Sequence, residues 1–290
     1  MNVVWCAEHM SFHSNLEKAF LYTSILTWKH FYPKHTTNLY CDSHSKQLIS
    51  DMGILSLWDN VNTEVLDRKQ YEFNEDAFWA SAKLKVINEL TAPFVVIDLD
   101  LFIKQRFIPE DYWKLDVIGN FMEVTTKHYP EPYKIRKYME LPNYNWDDRA
   151  INVAFLYINN EKLRGIYAQT ALEWMNVMTR DGGEINGLNM VFCEQKLLWQ
   201  LIKEMNLSHK YLFNETLICH KDQWYENGLG IFTKKEEYIY ATHFGPDKRR
   251  AFDESHGYYV ECKQSILETF YKLFPNLSKN VLNLLNHGHT

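Results

Sequence analysis

The stretch Pro93-Phe-Val-Val-Ile-Asp98-Leu-Asp100-Leu-Phe102 is the strongest indicator of the fold. Four consecutive apolar residues before Asp98 are typical of a strand that is buried on both faces of a parallel sheet. A helical pattern over 75–90 runs directly into this strand, which is the order of an α/β protein. The two carboxylates follow the strand, and open α/β sheets bind their ligands at the carboxyl ends of strands. The stretch therefore predicts both an α/β fold and the edge of the sheet where a site lies.

Strand and helix patterns alternate on both sides of this stretch, which favours a sheet with helices on both faces. Strands are predicted over 3–6, 37–41, 93–98, 116–122, 151–158 and 238–242, and helices over 16–31, 43–53, 75–90, 161–178 and 190–205. We expect one domain over 1–257, with an aromatic, proline-broken loop insertion at 123–149. A helical segment over 258–290, interrupted at Pro275, follows it.

Composition narrows the function classes. The 290 residues are 46% hydrophobic and carry a formal net charge of −6, whereas nucleic-acid binders usually show a basic excess, so no nucleic-acid partner is expected. The five cysteines are scattered and form no C-x-x-C pair, which indicates free thiols in a reducing compartment. The N-terminus has no basic leader with an apolar core, and this predicts a cytoplasmic protein.

Asp98 and Asp100 are the first candidate site residues. In a strictly extended chain their side chains would point to opposite faces, whereas a turn that begins at Asp98 would let both reach one ion. Two hard oxygen ligands suit Mg²⁺ or Mn²⁺, which would in turn hold phosphate oxygens. The alternative at this point is a strand end solvated by two acids.

A second candidate is the segment Ala241-Thr-His243-Phe-Gly245-Pro-Asp-Lys248-Arg-Arg250, which follows a predicted strand. The His243 imidazole can complete the coordination of Mn²⁺, Gly245 permits close approach of the backbone to a ligand, and Lys248 offers a charge for phosphate. Taken alone, the segment is better explained as a surface loop with a basic cluster, and the D-x-D segment reverses that preference.

With both segments in this order, the chain resembles the GT-A-fold glycosyltransferases of the glycogenin and bacterial lipopolysaccharide galactosyltransferase type, over roughly residues 3–250. The resemblance implies a Rossmann-like, mixed and mainly parallel sheet flanked by helices. It also implies a hexosyltransferase that takes a sugar from a nucleotide-diphospho-sugar, with UDP as the expected nucleotide. The acceptor would be a saccharide or a lipid-linked saccharide in surface polysaccharide synthesis. Retention of anomeric configuration is expected by family likeness alone.

The resemblance assigns roles to ten residues. It places a Mn²⁺ or Mg²⁺ ion on Asp98, Asp100 and His243. It implies donor binding by Ala7, Lys83, Asn152, Gly245 and Lys248, and it puts Glu194 and Gln195 beneath the reactive carbon of the sugar as the catalytic pair. This chain departs from the family pattern at Lys248-Arg249-Arg250, where the family continues Lys-Pro-Trp, and at Glu194, where aspartate is commoner.

Other interpretations stay open. A haloacid-dehalogenase-like phosphatase would use Asp98 as its nucleophile, and a carbohydrate-binding protein without enzyme activity would need no metal. Aromatic residues at 128–146 could stack on an acceptor sugar or pack internally, and Asp147-Asp148 forms either a second acidic site or a turn. The apolar positions of the tail, residues 266–285, suit either peripheral contact with the inner membrane face or packing on the domain itself.

Overall fold

A computed structural model gives the fold of the chain. It describes residues 1–10, 14–73, 78–106, 108–125, 132–136, 140–180, 187–212, 216–220, 223–226, 229–230, 241–243 and 257–277. For residues 125, 134, 187–188, 257–259, 261–262 and those described between 216 and 243, only the backbone is described.

The strands follow the apolar segments of the sequence. In chain order they are β1 Asn2–Ala7, β2 Thr36–Cys41, β3 Asn60–Asn62, β4 Phe94–Ile97, β5 Leu101–Ile103, β6 Val117–Gly119, β7 Met122–Thr125, β8 Arg149–Ile151, β9 Phe155–Ile158, β10 His209–Tyr211, β11 Thr216–His220, β12 Gln223–Glu226, β13 Leu229–Gly230 and β14 Ala241–His243.

The helices come between them. They are α1 Asn15–Phe31, α2 Ser43–Asp51, α3 Glu64–Asp67, α4 Ser81–Glu89, α5 Pro132–Ile135, α6 Glu161–Arg180, α7 Gly187–Val191, α8 Leu197–Glu204 and α9 Gly257–Leu273. Short 3₁₀ turns lie at Leu55–Leu57 and Glu110–Lys114, and a π-helical turn, Phe192–Lys196, joins α7 to α8.

Seven strands form the main sheet in the order β10-β6-β9-β4-β1-β2-β3. β9 runs antiparallel to both of its neighbours, and every other pair in this sheet is parallel. A second sheet has the order β13-β12-β11-β7-β8, and β14 pairs with β5. The predicted α/β architecture, a mixed and mainly parallel sheet flanked by helices with a helix near the C-terminus, is confirmed.

Local sequence explains the helix starts. Ser14 caps α1, because its hydroxyl oxygen accepts a hydrogen bond from the Glu17 amide at 3.3 Å. Asp42 caps α2 in the same way, through the Ser45 amide at 2.6 Å. Two apolar layers cover the two faces of the main sheet. Successive side chains of β1, including Trp5, point alternately into one layer and the other.

Two predicted strands are each divided in the structure. The segment predicted as one strand over 116–122 forms β6 in the main sheet and β7 in the second sheet, and the segment predicted over 151–158 forms β8 and β9 in the same manner. The two breaks face each other. The Asn120 amide donates to the Asn152 carbonyl at 2.9 Å, and the Asn152 amide donates to the Phe121 carbonyl at 2.9 Å. Each break carries one asparagine between apolar neighbours, and this pattern does not by itself predict a change of sheet.

The helix predicted over 75–90 begins later, at Ser81, because Phe78, Trp79 and Ala80 form a turn in which the Ser81 amide donates to the Phe78 carbonyl at 2.8 Å. Residues 74–77 lie outside the described part of the chain.

The C-terminal helix packs on the domain. Ile266 and Phe270 of α9 are fully buried against Leu16, Ala19 and Phe20 of α1. Packing of this apolar face on the protein itself, one of the two alternatives for the tail, is therefore confirmed for α9. Residues 278–290 lie outside the described part. Among the described helices, none is long and apolar enough to cross a membrane.

Candidate functional site

The order of the main sheet locates a crevice. From β1 the chain proceeds to β2 and β3 on one side, while β4 lies on the other side of β1 and continues the sheet in the opposite direction. Such a reversal is the switch point at which open α/β sheets bind ligands, outside the carboxyl ends of the strands. Trp5 pairs with Ile97, so Ala7 at the end of β1 and Asp98 after β4 lie at the same edge. Two of the predicted site residues are thus brought to the crevice.

Asp98 begins a turn, as the metal hypothesis requires. The Leu101 amide donates to the Asp98 carbonyl at 3.1 Å, so the chain reverses within the D-x-D segment and does not remain extended. The Asp98 amide donates to the Ala154 carbonyl at 2.8 Å, which fixes the turn to β9. The Asp98 side chain is partly exposed, whereas Asp100 is buried.

His243 comes from the far end of the chain to the same place. β14 pairs antiparallel with β5, and His243 lies opposite Leu101, the residue that follows Asp100. The backbone register therefore brings the third predicted ligand beside the D-x-D turn. Gly245 and Lys248 lie outside the described residues. Among side chains that the structure describes, a set that excludes the His243 imidazole, no group of three His, Cys, Asp or Glu could hold a metal ion.

Lys83 joins the two acidic parts of the site. Its ammonium lies 2.7 Å from Asp98 Oδ1 and 2.9 Å from Glu194 Oε1, and it also donates to the Val153 carbonyl at 3.1 Å. The Lys83 side chain is 10% exposed and the Glu194 side chain 3%. Burial lowers the pKa of Lys83, but Asp98 and Glu194 outweigh burial and raise that pKa above its ordinary value. Lys83 is therefore charged and holds the two carboxylates together.

Glu194 lies in the π-helical turn. Insertion of one residue per turn widens the helix, and such turns are frequent at functional sites. The Tyr167 hydroxyl donates to the Glu194 carbonyl at 2.9 Å and holds this turn against α6. Burial raises the pKa of the Glu194 carboxyl and Lys83 lowers it, and the net result is a raised pKa. The sequence placed Glu194 and Gln195 on one helix, but the π turn that orients them has no periodicity signal.

Asn152 lies at the crossing between the two sheets. Its Oδ1 accepts from Asn120 Nδ2 at 3.1 Å and from the Ala154 amide at 3.1 Å, and its Nδ2 donates to Glu123 Oε1 at 2.9 Å. All four of these residues are buried, and Val153, which binds Lys83, is the next residue in the chain. The structure thus places Asn152 next to Lys83. Hydrogen bonds to other residues of the protein use much of the hydrogen-bonding capacity of the Asn152 side chain.

A second buried ion pair was missed at the sequence level. Lys85 lies 2.8 Å from Glu8, with both side chains at most 6% exposed, and its ammonium is 5.4 Å from the centroid of the Phe73 ring. Burial raises the pKa of the nearby Cys6 thiol, Lys83 lowers it, and Asp98 and Glu8 raise it further. Every residue from 81 to 87 is buried in the structure, and a buried lysine needs a charged partner. The sequence pattern does not identify Glu8 as that partner.

The aromatic loop is only partly consistent with the acceptor hypothesis. Trp146 stacks on Phe192 with centroids 5.2 Å apart, and both Trp146 and Tyr144 pack against the core. Asp147 accepts hydrogen bonds from Trp199 Nε1 at 3.0 Å and from Lys203 at 3.0 Å, so it secures the loop. Residues 126–131 and 137–139, which include His128, Tyr129 and Tyr138, lie outside the described part.

No curated protein matches the sequence of this chain. Similar solved structures include the galactosyltransferase LgtC in complex with donor and acceptor sugar analogues, at 14% identity and a TM-score of 0.38 over 67% of this chain and 70% of that one. Another is the apo form of the glycosyltransferase GlyE of Streptococcus pneumoniae TIGR4, at 14% identity and a TM-score of 0.40 over 72% of this chain and 44% of that one. A family model described as "Family of unknown function (DUF6734)" matches residues 9–280, and the chain belongs to this family.

Proposed function

We propose that this chain is a glycosyltransferase that moves a sugar from a nucleotide-diphospho-sugar, with UDP as the nucleotide, to a saccharide or glycolipid acceptor. The observation that carries the proposal is the Lys83 bridge between Asp98 and Glu194 at the carboxyl edge of the sheet. A charged donor needs a cationic end for its diphosphate and an acidic pocket for the positive charge that develops on its sugar. The bridge holds Asp98, where a bound cation would meet the diphosphate, and the acidic Glu194 at a fixed separation.

The residues present fit a divalent cation. Asp98 and Asp100 supply oxygen ligands at the D-x-D turn, and the register of β14 brings His243 to the same turn. We propose that these three residues hold Mn²⁺ or Mg²⁺. When bound, the ion supplies Lewis-acid stabilisation of the charge on the leaving diphosphate.

Side chains of the chain itself carry the other tasks in this proposal. Glu194 presents a carboxylate from a nearly dry pocket, where its interaction with a positively charged sugar carbon is strong. Lys83 holds that carboxyl in place and opposes the rise in its pKa that burial causes, and a hydrogen bond with the Gln195 side chain acts in the same direction. Asn152 fixes the backbone next to Val153, whose carbonyl accepts a hydrogen bond from Lys83. Ala7 lies at the end of β1, near the proposed position of the donor. Gly245 and Lys248 remain assigned to the diphosphate by the resemblance to GT-A-fold glycosyltransferases. Retention of configuration and a role in surface polysaccharide synthesis belong to the same proposal.

Ligand-dependent stabilisation tests this function. We expect UDP to raise the melting temperature only when Mn²⁺ is present, and we expect Asp100→Asn to abolish that rise while Asp51→Ala, a change at an exposed position of α2, leaves it intact. A panel of UDP- and GDP-sugars, assayed with Mn²⁺ for donor hydrolysis, then identifies the donor, and NMR of the anomeric proton in the product gives the stereochemistry.

Each competing interpretation has its own outcome in this experiment. Release of phosphate from phosphate esters, without any response to nucleotide, would indicate the phosphatase that uses Asp98. Stabilisation by free saccharides, with no donor hydrolysis for any nucleotide-sugar, would indicate a carbohydrate-binding protein. Flotation of the full chain with liposomes, compared with a chain that ends at Tyr259, tests peripheral membrane contact by the tail.

A further inference from the structure

Trp79 is more exposed than the other tryptophans whose side chains the structure describes. It exposes 61% of its surface, whereas Trp5, Trp28, Trp58, Trp174 and Trp199 are each at most 6% exposed. It is also an isolated exposed residue among buried neighbours, because Phe78 is fully buried and Ser81 almost so. The hydrogen bond from the Ser81 amide to the Phe78 carbonyl, at 2.8 Å, closes the turn that contains Trp79. The backbone at Trp79 is therefore held by this turn.

The position of Trp79 relates it to the proposed site. α4 leads into β4, so its N-terminus lies at the carboxyl edge of the sheet, and this is confirmed by the contact of Lys83 with Asp98. Trp79 stands two residues before Ser81, the first residue of α4, so its backbone lies at the same edge. This edge of the sheet also carries the crevice that contains Lys83 and Glu194.

Two aromatic side chains of the 128–146 loop, Tyr144 and Trp146, pack against the core, and Trp146 stacks on Phe192. Tyr133 of the same loop is 56% exposed. A pyranose ring offers an apolar face of C–H groups and a rim of hydroxyls. A flat, amphipathic indole, carried on the same edge of the sheet as the carboxylates of the crevice and Lys83, complements both.

We propose that Trp79 is the platform on which the saccharide acceptor stacks. This proposal rests on the proposed function, since it takes the donor sugar to lie at Glu194 and the acceptor to approach from the rim. Trp79 binds substrate and takes no part in proton or charge transfer. A change at Trp79 therefore acts on the acceptor and leaves the reaction of the donor with water unaffected.

The test compares Trp79→Ala and Trp79→Phe with the wild type, and Tyr271→Ala serves as a control because Tyr271 is similarly exposed, at 57%, but lies on α9. The acceptors are methyl β-galactopyranoside, methyl α-glucopyranoside and methyl β-lactoside. For Trp79→Ala we expect the KM for the acceptor to rise about tenfold, with donor hydrolysis within twofold of the wild type. Trp79→Phe, which retains an aromatic face, should recover most of the loss.

Two results separate this inference from the proposed function. If donor hydrolysis persists and Trp79→Ala leaves the KM for every acceptor unchanged, or raises the KM for the donor alone, the acceptor platform is wrong while the transferase stands. If no nucleotide-sugar is hydrolysed by the wild type, the proposed function fails and the platform fails with it.

Saturation-transfer NMR with the same glycosides gives a second measurement without catalysis. Loss of the ring C–H signals with Trp79→Ala supports the platform, and signals equal to those of the wild type overturn it.

Discussion

Replacing Lys83 with methionine tests the electrostatics of the site without any assumption about the reaction. The change keeps most of the volume of the side chain but removes the ammonium that lies between Asp98 and Glu194. Asp98 is 30% exposed and can regain water, whereas Glu194, at 3%, cannot. With Lys83 absent, burial and the charge of Asp98 both raise the pKa of Glu194, so its carboxyl takes up a proton in the folded state.

The magnitude follows from linkage. An unfolded glutamate ionises near pH 4.3, so keeping Glu194 protonated at pH 7 costs at most about 4 kcal/mol, at about 1.4 kcal/mol per pH unit. This limit agrees with the roughly 3–5 kcal/mol found when one partner of a buried ion pair is removed. The sign is that of an acid with a raised folded-state pKa: stability is retained at low pH and is lost as the pH rises. At pH 5 the cost of keeping Glu194 protonated is at most about 1 kcal/mol.

Urea unfolding, followed by circular dichroism at pH 5, 6 and 7 with chelator present, measures this effect. Lys203→Met is a matched control, because its partner Asp147 is partly exposed and such pairs contribute about 1 kcal/mol or less. The double variant Lys83→Met/Glu194→Gln should lose the pH dependence. The reasoning is refuted if Lys83→Met lies within 1 kcal/mol of the wild type at pH 7, or if its loss is equal at pH 5 and pH 7.

Three further predictions concern parts of the fold that support the site. Asp42→Ala removes the cap on the Ser45 amide and should cost about 1–2 kcal/mol in urea unfolding, against no measurable loss for an exposed alanine substitution elsewhere in α2. Phe270→Ala should cost about 3–5 kcal/mol and increase amide exchange in α9, since the ring is fully buried; unchanged exchange would show that α9 docks by other contacts. Asn152→Asp places a carboxylate against Glu123 and should destabilise the protein by about 2–3 kcal/mol at neutral pH, as thermal unfolding measures, with recovery as the pH falls towards 4.

Much of the fold could be predicted because periodicity and capping act locally. The strand before Asp98 and the helices α1 and α2 all form within a few residues of where the pattern places them. A carboxylate at the end of a buried strand also predicts which edge of the sheet carries a site, because chain direction fixes that edge.

The rest of the fold and of the candidate site could not be predicted, because it depends on contacts between segments that are far apart in the sequence. Asn120 and Asn152 each interrupt an apolar segment, but a single asparagine does not show that a segment leaves one sheet for another. Only the hydrogen bonds between the two asparagines mark the crossing. The burial of Trp146 under Phe192 likewise depends on a loop folding onto the π-helical turn. The start of α4 at Ser81 was mispredicted, since helix propensity does not reveal the turn that contains Trp79.

The charges at the carboxyl edge explain how an acidic chain can suit an anionic donor. Glu8, Asp98, Asp100 and Glu194 supply four carboxylates, while Lys83 and Lys85 supply two ammonium groups, so the ionised cluster is left with a formal charge of −2. One divalent cation neutralises that charge. Each lysine is already committed to carboxylates, so neither adds a strong attraction for phosphate in the way that a solvated lysine would. On this balance, binding of a nucleotide diphosphate should depend steeply on Mn²⁺ and only weakly on the net charge of −6. Isothermal titration of UDP with and without Mn²⁺ checks this: equal affinity in both titrations would contradict the assignment of Asp98 and Asp100 as metal ligands.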